Sequence, residues 1–336
     1  MAKRKITQLD LFSGIGGFHL GFERAGYEVE SYFSEIDKHA VAVYKHRFKN
    51  STYVGSVTDV RGAELPKIDL ITFGSPCQDF SLAGKRKGLS GDRSGLITEA
   101  IRLIGECRPS VFIWENVKGS FSSNDGEDFA AILQEFTNIG GYRLEWQLLN
   151  TSWVLPQNRE RVYFVGYSTM PRGHWSGVFP IREKFKGFDE RAGYAANVRA
   201  LVAGANSGGR HSSMTLLKIK SATSKVYEEA QEGDSINLTA INSTTRRGRV
   251  GKKTAQTLDT LCAQAVVKEE RIRRLTPIEC ERLQGFPDNH TEYGNYDGEV
   301  KKMSNTQRYK QCGNAVTVDI VALVAEAVKP LLNRTV

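Results

Sequence analysis

Residues 6–22, ITQLDLFSGIGGFHLGF, decide the fold class. Ile6–Phe12 reads as a strand, Ser13–Gly17 as a tight turn, and Gly17–Arg24 as a helix with Phe18, Phe22 and Ala25 on one face. Glycine at such a turn permits left-handed backbone and close approach of a ligand. Outward from there, strands and helices alternate. Tyr27–Phe33 reads as a second strand, and Ala40, Val41, Tyr44 and Phe48 form the next helical face. Ile68–Phe73 and Val111–Trp114 are continuous apolar strands. The stretch from Ser94 to Cys107 between them is helical, with Leu96, Ala100, Leu103 and Ile104 at helical spacing. This alternation predicts an α/β fold with a Rossmann-like, mostly parallel sheet covered on both faces. Arg143–Asn150 and Val162–Tyr167 are too close in sequence for a helical crossover, so the last strand should run antiparallel.

The 336 residues are enough for two domains at roughly 150 residues each. With 40% hydrophobic and 25% charged residues, the composition is globular, not disordered. No run approaches the ~18 apolar residues of a membrane span. The basic start, Met1–Lys5, leads into a strand and not into a signal-peptide core. Five cysteines without a CxxC pair argue against a disulfide framework and a zinc site, and for a reducing, cytoplasmic setting.

Charge is unevenly placed. Residues 191–274 carry 15 basic and 7 acidic residues, a surplus of +8 that equals that of the whole chain. The remainder balances. Such a segment is either a polyanion-binding surface or a solvated basic face. From about residue 186 to 270 the alternation also gives way to Gly-, Ser-, Thr- and Asn-rich sequence with short apolar runs, read as a smaller loop-rich β domain. Thr276-Pro277-Ile278-Glu279 then starts a helix, with Thr as N-cap and Glu279 three residues later. Ala315–Val328 is a last apolar helix. The expected division is residues 1–185, completed by 303–336, as one domain, and 186–302 as the second, including a hinge.

Four motifs carry chemistry. The turn Asp10–Phe18 is not the dinucleotide fingerprint, because His19 holds the third glycine position. Glu35, 21 residues after Gly14, stands where a ribose diol would be bound. Asp10 suits a cationic ligand better than a pyrophosphate, so S-adenosylmethionine fits these charges. In Gly74-Ser75-Pro76-Cys77, a cysteine follows a parallel strand and faces the ligand crevice, where its thiolate can be stabilised. Glu115 ends the next strand, where it is either a solvated cap or an acid paired with Cys77. Gln157, Arg159 and Arg161 alternate on one strand face and can hold a phosphate, a base edge or a carboxylate.

Together, in this order, the motifs closely resemble those of the DNA cytosine-5 methyltransferases of bacterial and phage restriction–modification type. DLFSGIGGF, SEID, GSPCQDFS, ENV, QNRER, RRLTPIECERLQGFPD and QRYKQCGNAV resemble that family's motifs in the usual order. The resemblance spares only residues 186–270, where the family places its target-recognition region. It implies a flipped-out cytosine in double-stranded DNA, with Cys77 as nucleophile and Glu115 on the ring nitrogen N3 and exocyclic amine. Arg161 would hold the carbonyl O2, with Arg159 assisting. It implies S-adenosylmethionine as cofactor, S-adenosylhomocysteine as product, and no metal. Phe12 and Ile36 would flank the adenine, Glu35 would bind the ribose, and Ser13, Gly14, Ile15 and Gly17 would line the methionine portion. Asp10, Gly74, Pro76, Leu96, Asn314 and Val316 would complete the pocket. Where the family often has an Asp on the adenine, this chain has Ser56, so either Ser56 or Asp59 makes the contact.

Residues 84–95 fit a closing loop, with Lys85, Arg86 and Arg93 for phosphates. Gln157, Arg246, Arg247, Arg249, Lys252 and Lys253 are the further expected DNA contacts, Arg247 and Arg249 sharing a face of an extended chain. A monomer is expected, bacterial or phage-encoded, associated with the nucleoid, with a restriction endonuclease acting separately where one exists. The rival readings are a tRNA cytosine-5 methyltransferase and an inactive DNA-binding relative. A basic recognition segment of this size speaks against the first, and Cys77, Glu115 and Arg161 together against the second. A nicotinamide oxidoreductase fails on the glycine pattern.

Overall fold

The computed structural model describes residues 3–74, 95–121, 126–168, 177–181, 217–222, 226–239, 245, 247–269 and 271–332. The first half contains β1 (Arg4–Leu11), α1 (Gly17–Arg24), β2 (Tyr27–Ser34), α2 (Lys38–Arg47), β3 (Thr52–Tyr53) and β4 (Leu70–Phe73). It continues through α3 (Gly95–Cys107), β5 (Val111–Val117), α4 (Glu127–Asn138), β6 (Tyr142–Asn150), β7 (Gln157–Asn158) and β8 (Glu160–Ser168). Seven of these strands form one sheet in the order β3-β2-β1-β4-β5-β8-β6. The first five are mutually parallel. β8 runs antiparallel to both β5 and β6, so the reversed strand is inserted inside the sheet and not placed at its edge.

The apolar strands are buried on both faces, which explains their unbroken hydrophobic runs. In β5, Val111 and Ile113 face a core built with Phe18 and Phe22 of α1 and Ile320, Val321 and Val324 near the C-terminus. Phe112 and Trp114, pointing the other way, meet Leu103 and Ile104 of α3 and Phe136 of α4.

The later elements are β9 (Leu217–Lys220), β10 (Tyr227–Ala230), β11 (Ser235–Asn237), β12 (Val250–Gly251), β13 (Ala255–Gln256), β14 (Gln264–Lys268) and β15 (Arg271–Arg274). β12-β11-β14-β15 make a small antiparallel sheet, and β9 pairs with β10. β13 leaves this group and pairs in parallel with β7. The chain then forms α5 (Pro277–Leu283), the hairpin β16 (Tyr293–Tyr296) and β17 (Glu299–Lys302), α6 (Asn305–Asn314) and α7 (Val318–Leu332). The capping box at Thr276 and Glu279 is present, and Arg273 holds the Glu279 carboxylate with two hydrogen bonds of 2.9 and 2.7 Å.

β16 lies on α2, and an added Cβ at Gly294 would come within 2.9 Å of the Ala42 Cβ. α7 packs on α1, where Arg24 pairs with Asp319 and Gly21 leaves room for Val321. Both chain ends therefore build the same layer. Among the described residues, no helix is long and apolar enough to cross a membrane.

Candidate active site

The five parallel strands end along one edge of the sheet, where crossover geometry leaves a ligand crevice. After β1, Phe12 takes a left-handed backbone (φ 51°), uncommon for a side chain of this size. The turn is tied to the next strand end: the Gly14 amide donates to Glu35 Oε2 at 2.9 Å, and Ser13 N donates to the Ser34 carbonyl at 3.1 Å. Glu35 Oε1 accepts from the Ile36 and Asp37 amides at 2.8 and 2.9 Å. Oε2, which accepts only the Gly14 amide, retains acceptor capacity for a ligand hydroxyl. Ile36, directly after it, is 80% exposed. Asp37 turns back to cap α2 and receives Lys310 Nζ at 2.6 Å.

Ser13 is buried, and its Oγ has no hydrogen-bond partner. Nothing lies within 4 Å of the place a Cβ would take at Gly14. Phe12 and Leu96 pack at the margin of the core under α3 and α4. Ser56 Oγ bonds the Thr58 hydroxyl at 2.9 Å, and Asp59 is exposed beside it. Asn314 is exposed and Val316 half-buried.

Three expected cofactor residues face elsewhere. Asp10 is fully buried beneath the turn, accepting from the Thr72 hydroxyl at 2.7 Å and the Tyr44 hydroxyl at 3.4 Å. Burial pushes its carboxyl up to about 8, so at neutral pH it is largely uncharged and offers little attraction to a cationic ligand. The Ile15 side chain packs with Val43, Phe286 and Val318, and its carbonyl bonds His290 Nε2 at 2.9 Å. At Gly17 a Cβ would stand 2.5 Å from Val316 Cγ2, so this glycine serves packing.

Two of the catalytic candidates, Glu115 and Arg161, sit on β5 and β8. Glu115 is 8% exposed, and Arg161 Nε lies 3.1 Å from its Oε1. Oε1 nevertheless makes no hydrogen bond of good geometry. Burial raises the Glu115 carboxyl above its ordinary range, opposed by the charges of Arg161 and Arg159. Gly74 closes β4 against this carboxylate: a Cβ there would be 3.3 Å from Glu115 Oε2. Ser75, Pro76 and Cys77 follow at once, and they lie outside the described residues, as do Lys85, Arg86, Arg93 and Arg246.

The alternation of Gln157, Arg159 and Arg161 does not put three side chains on one open face. Gln157 is fully buried, giving Nε2 to the Leu283 carbonyl at 2.8 Å and taking the Leu258 amide at 3.0 Å. It lies on β7, which pairs with β13, and presents no surface to solvent. Arg159 is 3% exposed and spends its guanidinium on backbone carbonyls. In the basic cluster, Arg249 is 1% exposed, while Lys252 is held by Asp234 at 2.8 Å. Lys253 is exposed, with its amide on Asp234. Arg247 is exposed, its Nε on the Ala222 carbonyl at 2.9 Å. Sequence reasoning missed the carbonyls that Arg159 binds, since a backbone carbonyl carries no residue identity. It also missed Tyr44 and Thr72, whose hydroxyls are not marked by any motif.

A mostly parallel sheet with one reversed strand, a glycine turn tied to an acidic strand end, and a buried carboxylate paired with a guanidinium together define a Rossmann-like α/β protein with a polar crevice at its strand ends. The profile described as C-5 cytosine-specific DNA methylase matches residues 6–330. The Type II methyltransferase M.Bsp6I of Bacillus sp. (strain RFL6) is 30% identical over 94% of this chain and 96% of its own. M.FnuDI, a Type II methyltransferase of Fusobacterium nucleatum, is 31% identical over 97% of this chain and 94% of its own. A solved DNA modification methyltransferase encoded within an E. coli prophage superposes with a TM-score of 0.64 at 22% identity. That match covers 98% of this chain and all of the prophage protein. The chain belongs to the C-5 cytosine-specific DNA methylase family.

Proposed function

We propose that this protein methylates carbon 5 of a cytosine flipped out of a short duplex site, with S-adenosylmethionine as donor and Cys77 as covalent nucleophile. As in the type II methyltransferases it is similar to, the product would protect host or phage DNA from restriction. The observation that carries the reading is the buried Glu115–Arg161 pair standing against Gly74, three residues before Cys77. Carbon 5 of cytosine is a poor nucleophile until a thiolate adds at carbon 6.

The Cys77 sulfur bonds to carbon 6. Glu115 meets N3 and the exocyclic amine, and Arg161 meets O2, stabilising the charge that develops on the ring. Carbon 5, made nucleophilic by that addition, takes the methyl group; loss of its proton and departure of the Cys77 sulfur then restore the aromatic base. The other four cysteines are poor rivals for this role. Cys262, Cys280 and Cys312 are packed in one core cluster, and burial pushes the half-buried Cys107 thiol up to about 11.

S-adenosylmethionine, when bound, supplies an electrophilic methyl group. The residues present fit it on three counts: the exposed Ile36, the open cradle over Gly14 and the unpartnered Ser13 hydroxyl. Phe12 and Ile36 would hold the adenine, Glu35 the ribose, and Ser56 or Asp59 the adenine edge. Residues 186–302 read the target sequence in this scheme, supported by the +8 surplus of residues 191–274 and the antiparallel sheet formed there.

The test is a duplex carrying 5-fluorocytosine at the target, which cannot lose its carbon 5 substituent as a proton. The wild-type chain should form a denaturation-resistant adduct, and Cys77→Ala should form none while still binding DNA. Turnover of Cys77→Ala above a few per cent of wild type would remove Cys77 from this role. The target is found first by methylome sequencing of a host expressing the chain.

A further inference from the structure

Arg159 stands between β7, which pairs with β13, and β8, which carries Arg161. Its Nη1 donates to the Leu258 carbonyl at 3.2 Å. Its Nη2 donates to the carbonyls of Gly313 and Ala315 at 3.3 and 2.8 Å. These acceptors come from two separate stretches: the turn that follows β13, and the end of α6 on either side of Asn314. The Arg159 amide and carbonyl are themselves fixed, to Asn150 Oδ1 at 3.1 Å and the Thr151 amide at 2.9 Å. One buried side chain thus joins the turn after β13, the end of α6 and the strand that leads into Arg161.

A buried guanidinium is costly, and an apolar side chain would fill the same space more cheaply. What the apolar group could not do is hold carbonyls of two different segments at fixed directions. A forked, planar donor suits that task, and a lysine ammonium does not. The approach is close on the recognition side as well: a Cβ at Gly313 would stand 2.1 Å from the Asp259 carbonyl oxygen. The turn after β13 therefore cannot shift without moving the end of α6 or the Arg159 head. Two residues further on, Arg161 reaches Glu115. Among the described residues, Arg159 makes no hydrogen bond to Glu115 or Arg161. Its charge nonetheless acts on that carboxylate, opposing the effect of burial.

We propose that Arg159 is a positioning residue that couples seating of the recognition segment to the Glu115–Arg161 pair. Correct docking on DNA sets the turn at 257–262, Arg159 carries that position to β8, and the pair takes its working geometry on the cognate site. Arg159 then governs discrimination between sequences without meeting a base. This rests on the reading of Glu115 and Arg161 as the groups that hold the flipped cytosine.

The experiment uses the full chain as wild type, Arg159→Lys and Arg159→Met, with Arg161→Lys and Glu115→Gln as controls. Steady-state kcat and KM are measured on the cognate duplex and on duplexes with single-base changes, beside thermal melting. For Arg159→Lys the ratio of kcat/KM between cognate and changed sites should fall about tenfold or more. On the cognate duplex, kcat should drop with KM for S-adenosylmethionine within about threefold. Arg159→Met should lose more of both if it folds; Arg159→Lys alone decides the matter if it does not. A lower melting temperature with an unchanged discrimination ratio would overturn the proposal and leave Arg159 as a structural clamp. Full activity in both control variants would instead overturn the reading of the pair itself.

Discussion

Arg161 Nε lies 3.1 Å from Glu115 Oε1, across the antiparallel pairing of β8 with β5. The strand reversal makes this contact: β8 returns beside β5, so residues 46 positions apart in the chain meet at one strand end. Glu115→Gln keeps the shape and removes the charge, and Arg161→Lys keeps the charge and removes the fork. Each should lower kcat by about 10²-fold or more, the scale of a positioned acid or base. Single-turnover methylation with DNA binding measured in parallel checks this, and unchanged rates would make the pair structural.

Ile36 separates cofactor binding from stability. Because it is 80% exposed, Ile36→Ser removes little packing from the free protein. Its melting temperature should stay within about 1 °C of wild type, as for surface changes away from special features. Titration calorimetry should show S-adenosylmethionine binding weakened about fivefold, the loss of roughly 1 kcal/mol of apolar contact. Equal binding would move the adenine away from this residue.

Lys252 and Lys253 should behave differently despite being neighbours. Lys252 pairs with Asp234, whose side chain is wholly buried, so Lys252→Ala leaves that carboxylate without its cation. A stability loss of about 1–2 kcal/mol is expected by denaturant titration. Lys253→Ala should cost almost none. If Lys253 contacts a phosphate, its loss should flatten the slope of log affinity against log salt by about 0.9, and Lys252→Ala should flatten it less.

Asp10 links stability to pH. Burial raises its carboxyl from 3.8 to about 8, so the folded chain holds a proton that the unfolded chain releases. Its contribution is complete below about pH 4 and is lost as pH rises through 8. Asp10→Asn keeps a neutral group able to meet Thr72 and Tyr44. The variant should therefore lose less melting temperature than wild type between pH 5 and 9, by about 2–4 °C for each kcal/mol recovered. Parallel melting curves for the two proteins would show that Asp10 ionises without cost.

The sheet was legible because strands buried on both faces must be apolar without interruption, and IDLITF and VFIW are. The last two strands of the sheet were legible as a pair because their connection is too short for a crossover. The helix at Pro277 was legible from its cap, since Thr276 and Glu279 satisfy local amides whatever surrounds them. The hairpin β16–β17 was not: Tyr293–Tyr296 and Glu299–Lys302 carry few apolar residues, and the support for β16 comes from α2.

Sequence by itself determined the α/β class, the candidate nucleophile, and the carboxylate and arginine at neighbouring strand ends. These follow from local periodicity and from motif order, and both are properties of short stretches. Only the tertiary structure decided which polar side chains are available. Gln157 and Arg159 read as two members of an alternating face, yet both are buried, Gln157 against Leu258 and Leu283 and Arg159 against the carbonyls of Leu258, Gly313 and Ala315. Asp10 read as a charge for a cation, yet Tyr44 and Thr72 close over it and desolvation neutralises it. Arg249 and Lys252 read as free cations, yet one is buried and the other bound to Asp234. The physical reason is common to all five side chains. A charged or amide side chain has the same local pattern whether it meets water, DNA or a backbone carbonyl, and only long-range packing settles which partner reaches it.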